Sequence, residues 1–237
     1  MYDRCMLIKR WSFSAITVFE SCCYRAQLKY VDRIPEPEFS RGAAAVRGSE
    51  THTDAERFVK GEVKLARGLE RFVPEFHRLK ELYAEGAVSV ESTLAFDSAW
   101  ARVADRSAGV WVKAILDTRV RLAAATRLVV DYKTGKKDGN EVKHADQGQL
   151  YMVTEFAADP KLQTVWVEFW YLDLNVITKV RYTRQHYEAY KASFTKRGSR
   201  MTSATFFPPS PSRRNCRYCP YRSSRTGGTG HCAYSKE

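Results

Sequence analysis

Leu128-Val129-Val130-Asp131-Tyr132-Lys133-Thr134-Gly135 runs three apolar residues into an acid, a spacer and a lysine, after which Thr-Gly ends the run. Side chains alternate along a strand, so Asp131 and Lys133 should emerge on the same face. A carboxylate and an ammonium at the end of a buried strand are costly to desolvate unless something uses them. Asp117 closes a second β-rich run, Val110-Trp111-Val112-Lys113-Ala114-Ile115-Leu116-Asp117, and could meet Asp131 across a sheet. Two carboxylates held together suit a divalent cation, and a lysine beside them suits a water or a phosphate. The ordinary alternative for an Asp-x-Lys in a strand is an edge ion pair of small energetic consequence.

Asp117, thirteen intervening residues and then Asp131-Tyr132-Lys133 resembles the signature of the PD-(D/E)XK nucleases. Further elements stand in the same order as in the RecB-like iron–sulfur branch of that superfamily. Arg47-Gly48-Ser49-Glu50-Thr51-His52, in a stretch of helical spacing, resembles its Gly-x-x-x-His element. Gln147-Gly148-Gln149-Leu150-Tyr151 resembles its Gln-x-x-x-Tyr element, with Gln147 and Tyr151 four apart on one helix face. An amide that can bond phosphate or base and a ring that can stack suit nucleic-acid binding. Taken singly, His52 reads as a surface histidine, Gln147 as a capping residue and Tyr151 as a core residue.

The chain has six cysteines. Cys216-Arg217-Tyr218-Cys219-Pro220 and the Gly-rich run into Cys232 put three thiols within seventeen residues, a metal-clasp spacing. Trp11-Ser12-Phe13-Ser14 followed by Cys22-Cys23 resembles the N-terminal helix of the branch, where one further cysteine ligand follows Ser-x-Ser. Cys22 aligns with that ligand and Cys23 stands where proline is usual, which leaves the choice between them open. The resemblance implies a [4Fe–4S] cluster on Cys22, Cys216, Cys219 and Cys232. Zinc on four cysteines, or on three with His231, is the alternative. Disulfides are disfavoured because Arg4, Lys9 and Arg10 interrupt any leader-like apolar run and an intracellular setting is expected. Cys5 reads as a spare thiol.

The resemblance further implies Mg²⁺ or Mn²⁺ held by Asp117, Asp131, His52 and the main-chain carbonyl of Tyr132. Lys133 would orient the attacking water or stabilise the transition state. Glu91 matches an acid seen on the strand before the first aspartate, with a plain strand-surface carboxylate as the other reading. The implied activity is a metal-dependent deoxyribonuclease, an exonuclease on single-stranded DNA or DNA ends in recombination, replication or CRISPR-type processing. The similar proteins are the AddB nuclease domain, the CRISPR-associated four-cysteine nucleases and phage-encoded relatives. A bacterial or phage-infected cytoplasm, a possible recombination or replication partner and no membrane are expected. A non-catalytic iron–sulfur module that binds nucleic acid and acts through a partner is the competing class.

Across 237 residues, 44% hydrophobic, there is material for one well-packed domain with an accessory part. A net charge of +12 and a pI near 9.5 point to a polyanionic partner. Basic residues gather at Lys191, Lys196, Arg197 and Arg200 and again at Arg213, Arg214, Arg217, Arg222 and Arg225, interleaved with Phe206, Phe207, Tyr218 and Tyr221. That mixture suits a groove following single-stranded phosphate and bases.

Periodicity predicts helices over 14–30, 40–60 and 74–84, then strands near 88–96, 110–121 and 128–133. A loop over 136–140, a helix from Gln147 to Ala158, a hairpin over 164–182 and a helix over 185–200 follow. That order reads as α/β and fits what the resemblance implies: a restriction-endonuclease-like core with a mixed central sheet flanked by helices, plus a cysteine-clasped subdomain. Residues 1–37 and 205–237 would form that subdomain around a 38–204 core, stapling the chain ends together and roofing the active site.

Overall fold

The computed structural model describes residues 7–37, 43–135 and 137–236; Cys5, Ser40 and Lys136 lie outside them. The chain divides into two compact units, one of residues 1–42 with 195–237 and the other of residues 43–194. No helix among the described residues is long and apolar enough to cross a membrane.

The larger unit is built on a five-stranded sheet in the order β1 (Val88–Phe96), β2 (Val112–Ala123), β3 (Thr126–Lys133), β4 (Thr164–Tyr171) and β5 (Val176–Thr183). Every neighbouring pair is antiparallel except β3 and β4. Parallel neighbours need a crossover, which helix α5 (Glu141–Ala158) supplies. Helices α3 (Ala43–Val59) and α4 (Val73–Ala84) precede the sheet. Phe58, Val59, Phe76 and Leu79 from those two helices pack on Val88, Val120, Val130, Tyr132 and Trp170 of the sheet. The other face takes α5. A Cβ on Gly148 would lie 3.3 Å from both Phe169 and Val167, so the absent side chain is what lets α5 press this closely on β4. Glu155 of α5 is fully buried and is held by Arg119 of β2, through its Nη2 at 3.0 Å and a second bond from Nε. Burying that carboxylate is tolerable only because a guanidinium meets it.

The mixed sheet with helices on both faces agrees with the α/β class read from sequence. Edges moved where capping or burial overrode periodicity. α5 begins at Glu141, six residues before Gln147; the charged and exposed residues of this first stretch, with Val142 facing solvent, hid that start from periodicity. The helix expected over 14–30 is broken. α1 (Phe13–Ser21) stops at Cys22, whose backbone is extended (φ −162°, ψ 108°). A short α2 (Cys23–Ala26) then runs into a π-helical turn, Gln27–Val31.

The smaller unit also contains the lower end of α6 (Tyr187–Thr202) and the short α7 (Arg213–Cys216). Phe207 packs edge-on against Phe19 at 6.3 Å, and Arg197 pairs with Glu20 at 2.7 and 2.9 Å. Leu28, Cys219 and Tyr221 form a small separate core, where the Tyr221 hydroxyl donates to the Ile34 carbonyl at 3.0 Å.

Phe76 is fully buried and its ring meets those of Phe58, Tyr132 and Trp170. Phe76→Ala should cost about 3–5 kcal/mol of unfolding free energy in urea. Val142→Thr, at an 86% exposed position, should change stability by less than about 0.5 kcal/mol. A Phe76→Ala loss no larger than that of Val142→Thr would overturn this account of the core.

Candidate active site

β2 and β3 pair from Ala123/Thr126 up to Thr118/Val130, and the ladder then stops. The next position in that register holds Asp117 and Asp131. Beyond it β2 continues beside β1, while β3 continues to Lys133 beside β4. The two strands part at the two acids. The Tyr132 N–H, freed from the ladder, donates instead to Asp117 Oδ2 at 2.7 Å. The Tyr132 ring points to the opposite face, where its hydroxyl is 2.7 Å from Thr118 Oγ1.

On the other side of β2 the β1 ladder is interrupted at the same level. Val90 pairs with Thr118 and Ser92 with Leu116, but Glu91 and Asp117, which face each other between them, do not pair. Glu91 has φ +45°, a conformation that costs a non-glycine residue of order 1–3 kcal/mol and is found where surrounding structure enforces it. His52 completes the group from α3. Its Nδ1 is 3.2 Å from Asp117 Oδ2 and its ring meets Tyr132 edge-on at 5.9 Å. The glycine four residues earlier makes this docking possible, because a Cβ on Gly48 would stand 3.2 Å from Thr134 Oγ1. One ligand-capable atom each from His52, Glu91 and Asp117 lies within 4.8 Å of the others.

Asp131, 2% exposed, takes part in a closed ring. The Tyr151 hydroxyl donates to Asp131 Oδ1 at 2.6 Å and accepts from Gln147 Nε2 at 2.6 Å. Gln147 Oε1 accepts from Lys133 Nζ at 2.9 Å, and Nζ lies 2.5 Å from Asp131 Oδ2. The last contact is a buried ion pair that closes the ring. Lys133 also sits 5.4 Å from the centre of the Phe169 ring, on which His144 stacks.

The charges in this pocket strain against one another. Burial raises the Asp117 pKa, the Asp131 charge raises it further, and His52 pulls it back. Burial likewise raises Glu91, with Asp117 adding to it. Burial works against a charge on His52, but its bond to Asp117 and the surrounding carboxylates outweigh this and raise its pKa. Asp117 and Glu91, whose ionisation burial opposes, together with His52 have the donor set a hard divalent cation neutralises.

The sequence-based candidates Asp117, Asp131, Lys133, His52, Gln147 and Tyr151 thus converge. One expectation needs correction. Tyr151 is 3% exposed and spends its hydroxyl on Asp131, so its ring has no open face for a base. Glu91 joins His52 and Asp117 in one close group of possible ligands. Glu91 was legible only as an ambiguous strand acid. His144 went unread, although it stands three residues before Gln147, a helical neighbour spacing. Its Nδ1 is 2.9 Å from the Tyr171 hydroxyl, and burial with the Lys133 charge pushes its pKa down to about 4, keeping it neutral.

In the smaller unit, Cys22, Cys216, Cys219 and Cys232 line one small cavity with Arg25, Asn215 and Tyr234. Cys22 reaches it from the break after α1, where it also accepts from the Ser210 N–H at 3.4 Å. Asn215 ties the walls together, donating to the Ser21 and Ser210 carbonyls at 2.8 and 2.9 Å. Cys23 is not among the lining residues; it is buried and its thiol faces the Phe19 carbonyl at 3.5 Å. Phe207 and Tyr221, expected along an open groove, are buried instead.

Among solved structures, that of SSO0001 is 14% identical, covering 95% of this chain and 88% of its own with a TM-score of 0.49. An alkaline exonuclease from Laribacter hongkongensis is also 14% identical, covering 82% of this chain and 86% of its own with a TM-score of 0.34. No curated protein matches. The model of the PD-(D/E)XK nuclease superfamily matches residues 10–224, which take in the forked acids, Lys133 and the elements that carry them, and the chain belongs to that superfamily.

Proposed function

We propose that this chain is a divalent-metal-dependent deoxyribonuclease, working as an exonuclease on single-stranded DNA or DNA ends. The observation that carries this reading is the convergence of His52, Glu91, Asp117, Asp131 and Lys133 on the fork between β2 and β3. His52, Glu91 and Asp117, with Asp131 and the carbonyl of Tyr132, would hold Mg²⁺ or Mn²⁺. Bound there, the ion supplies charge neutralisation at the scissile phosphate and acidifies a water for attack.

The side chains do the rest. Lys133 presents a positive point charge to the phosphate as negative charge builds on its oxygens. It is kept in place by Asp131 and by Gln147 Oε1, and Gln147 is itself oriented by Tyr151. Tyr151 therefore acts as a positioning residue. Neutral His144 lies beside the lysine without adding a competing charge.

For the smaller unit we propose a [4Fe–4S] cluster on Cys22, Cys216, Cys219 and Cys232, with a stapling role. Four thiols from two distant chain segments around one cavity support it. His231 is exposed and does not line the cavity.

The direct test is cleavage of end-labelled single- and double-stranded DNA by protein purified without oxygen. Wild type should cut with Mn²⁺ or Mg²⁺ and stop in EDTA, and Lys133→Ala should lose about 10²–10³-fold in rate. Intact substrate that is still bound by folded wild type would favour a binding module instead. Exonuclease action should release mononucleotides from the label, whereas internal fragments would contradict that mode.

Metal binding should also carry a pH signature. Asp117 and Glu91 have raised pKa values when folded, so their ionisation destabilises the metal-free protein as pH rises through those values. His52, also raised, contributes stability that is lost in the same direction. Metal competes with these protons, so the rise in melting temperature on adding Mn²⁺ should be larger at about pH 8 than at about pH 5.5. A shift independent of pH would remove these residues from the ligand set.

The cluster has its own readout. Anaerobically purified protein should be brown and contain about four irons per chain. Cys216→Ser should bleach it, while Cys23→Ser should leave the colour. Stoichiometric zinc without iron would replace the cluster with a zinc clasp.

A further inference from the structure

The positive charge of this chain is unevenly placed. The unit of residues 1–42 and 195–237 has sixteen lysines and arginines against six aspartates and glutamates, a net of +10. Residues 43–194 carry the remaining +2. The polyanion-binding character therefore resides mainly in the cysteine-bearing unit, outside the sheet that carries the acids.

That unit also contains a cleft of about 430 Å³ that the proposed chemistry does not use. Tyr24, Phe206, Phe207 and Tyr234 line it, along with Gln27 and Val31. Phe207 is the buried anchor, and along the extended chain its neighbour Phe206 turns outward, 78% exposed. Pro208 and Pro209 follow directly and restrict the backbone there. Tyr234, 51% exposed, meets Tyr24 edge-on at 5.2 Å. Gln27 opens the π-helical turn, where the Asp32 N–H bonds its carbonyl at 3.0 Å. Its side-chain amide makes no hydrogen bond among the described residues. Exposed rings held in place beside an amide with free donor and acceptor groups match a nucleobase, which offers a π-face and a hydrogen-bonding edge. Duplex DNA keeps those faces stacked, so an unpaired base is the form that fits.

We propose that the cleft formed by Tyr24, Gln27, Phe206 and Tyr234 binds an unpaired base of single-stranded DNA, in a unit whose net charge holds the backbone. The inference rests on the deoxyribonuclease reading for its choice of ligand, but it is tested by binding alone.

Cluster-loaded protein in EDTA would be titrated against a labelled oligonucleotide, the same oligonucleotide with abasic sites throughout, and a blunt duplex. Phe206→Ala, at an exposed position that lines this cleft and not the cysteine cavity, should weaken single-strand binding roughly five- to hundredfold. Duplex binding and the salt dependence should stay as in wild type, and wild type should bind the abasic strand as poorly as the variant binds the normal one. Arg213→Ser with Arg214→Ser should instead weaken all three DNAs and flatten the salt dependence. Equal single-strand affinity for wild type and the aromatic variant overturns the proposal, as does equal loss on every DNA. Cleavage assayed in parallel separates the two claims. A protein that binds as described but never cuts loses the nuclease reading and keeps the base site.

Discussion

Asp117 and Asp131 face each other within two strands at the level where β2 and β3 stop pairing, and much of the larger unit serves to make that burial bearable. Two carboxylates with little solvent and a shared neighbourhood repel each other, and burial alone would drive at least one to bind a proton. The strands respond by parting. That frees one backbone N–H, and Asp117 takes it from Tyr132. Asp131 is met by Tyr151 and Lys133. These partners come from β3 and α5, and His52 joins Asp117 from α3, so the pocket is assembled only when α3, α5 and the sheet are all docked.

Docking is in turn set by two features that look incidental in the sequence. Gly148 lets α5 approach β4, and Glu155 fixes the same helix to β2 through Arg119. Together they set where Gln147 and Tyr151 stand along the helix, and hence where Lys133 points. Gly48 has the same effect for α3 and His52. Substitution at such positions would act on the chemistry through geometry, since none of these glycines touches the acids.

The residues that could be read from sequence share one property: a spacing that local geometry translates directly. Asp131 and Lys133 are two apart on a strand, and Gln147 and Tyr151 four apart on a helix. What escaped depends on register between distant segments. Glu91 gains its meaning from lying opposite Asp117 across an interrupted ladder, and nothing within β1 announces that pairing. The Cys22 choice is similar, because a break after α1 turns one thiol into the cavity and leaves its neighbour buried. Composition misled at Phe207 and Tyr221. Aromatics among arginines suggest a binding surface, but these two bury while Phe206 and Tyr218 stay exposed at 78% and 75%. Along the extended chain alternation turns Phe206 out and Phe207 in, while Tyr218 and Tyr221 lie in turns where packing alone decides.

The division of charge, +10 against +2, suits two demands that the proposed function would set against each other. A surface that follows a phosphate backbone gains affinity from every fixed cation, through release of counterions. A pocket that must attract a divalent cation loses affinity for the same reason, since each nearby lysine or arginine opposes the ion. Within the larger unit the basic side chains are largely matched: Arg119 and Arg127 by Glu155, Lys179 by Glu168, Lys113 by Asp105. Lys133 stays close to the acids, and there it is balanced by Asp131 and held by Gln147. Carrying most of the excess charge on a separate unit lets the chain be strongly basic as a whole while its candidate metal pocket remains acidic.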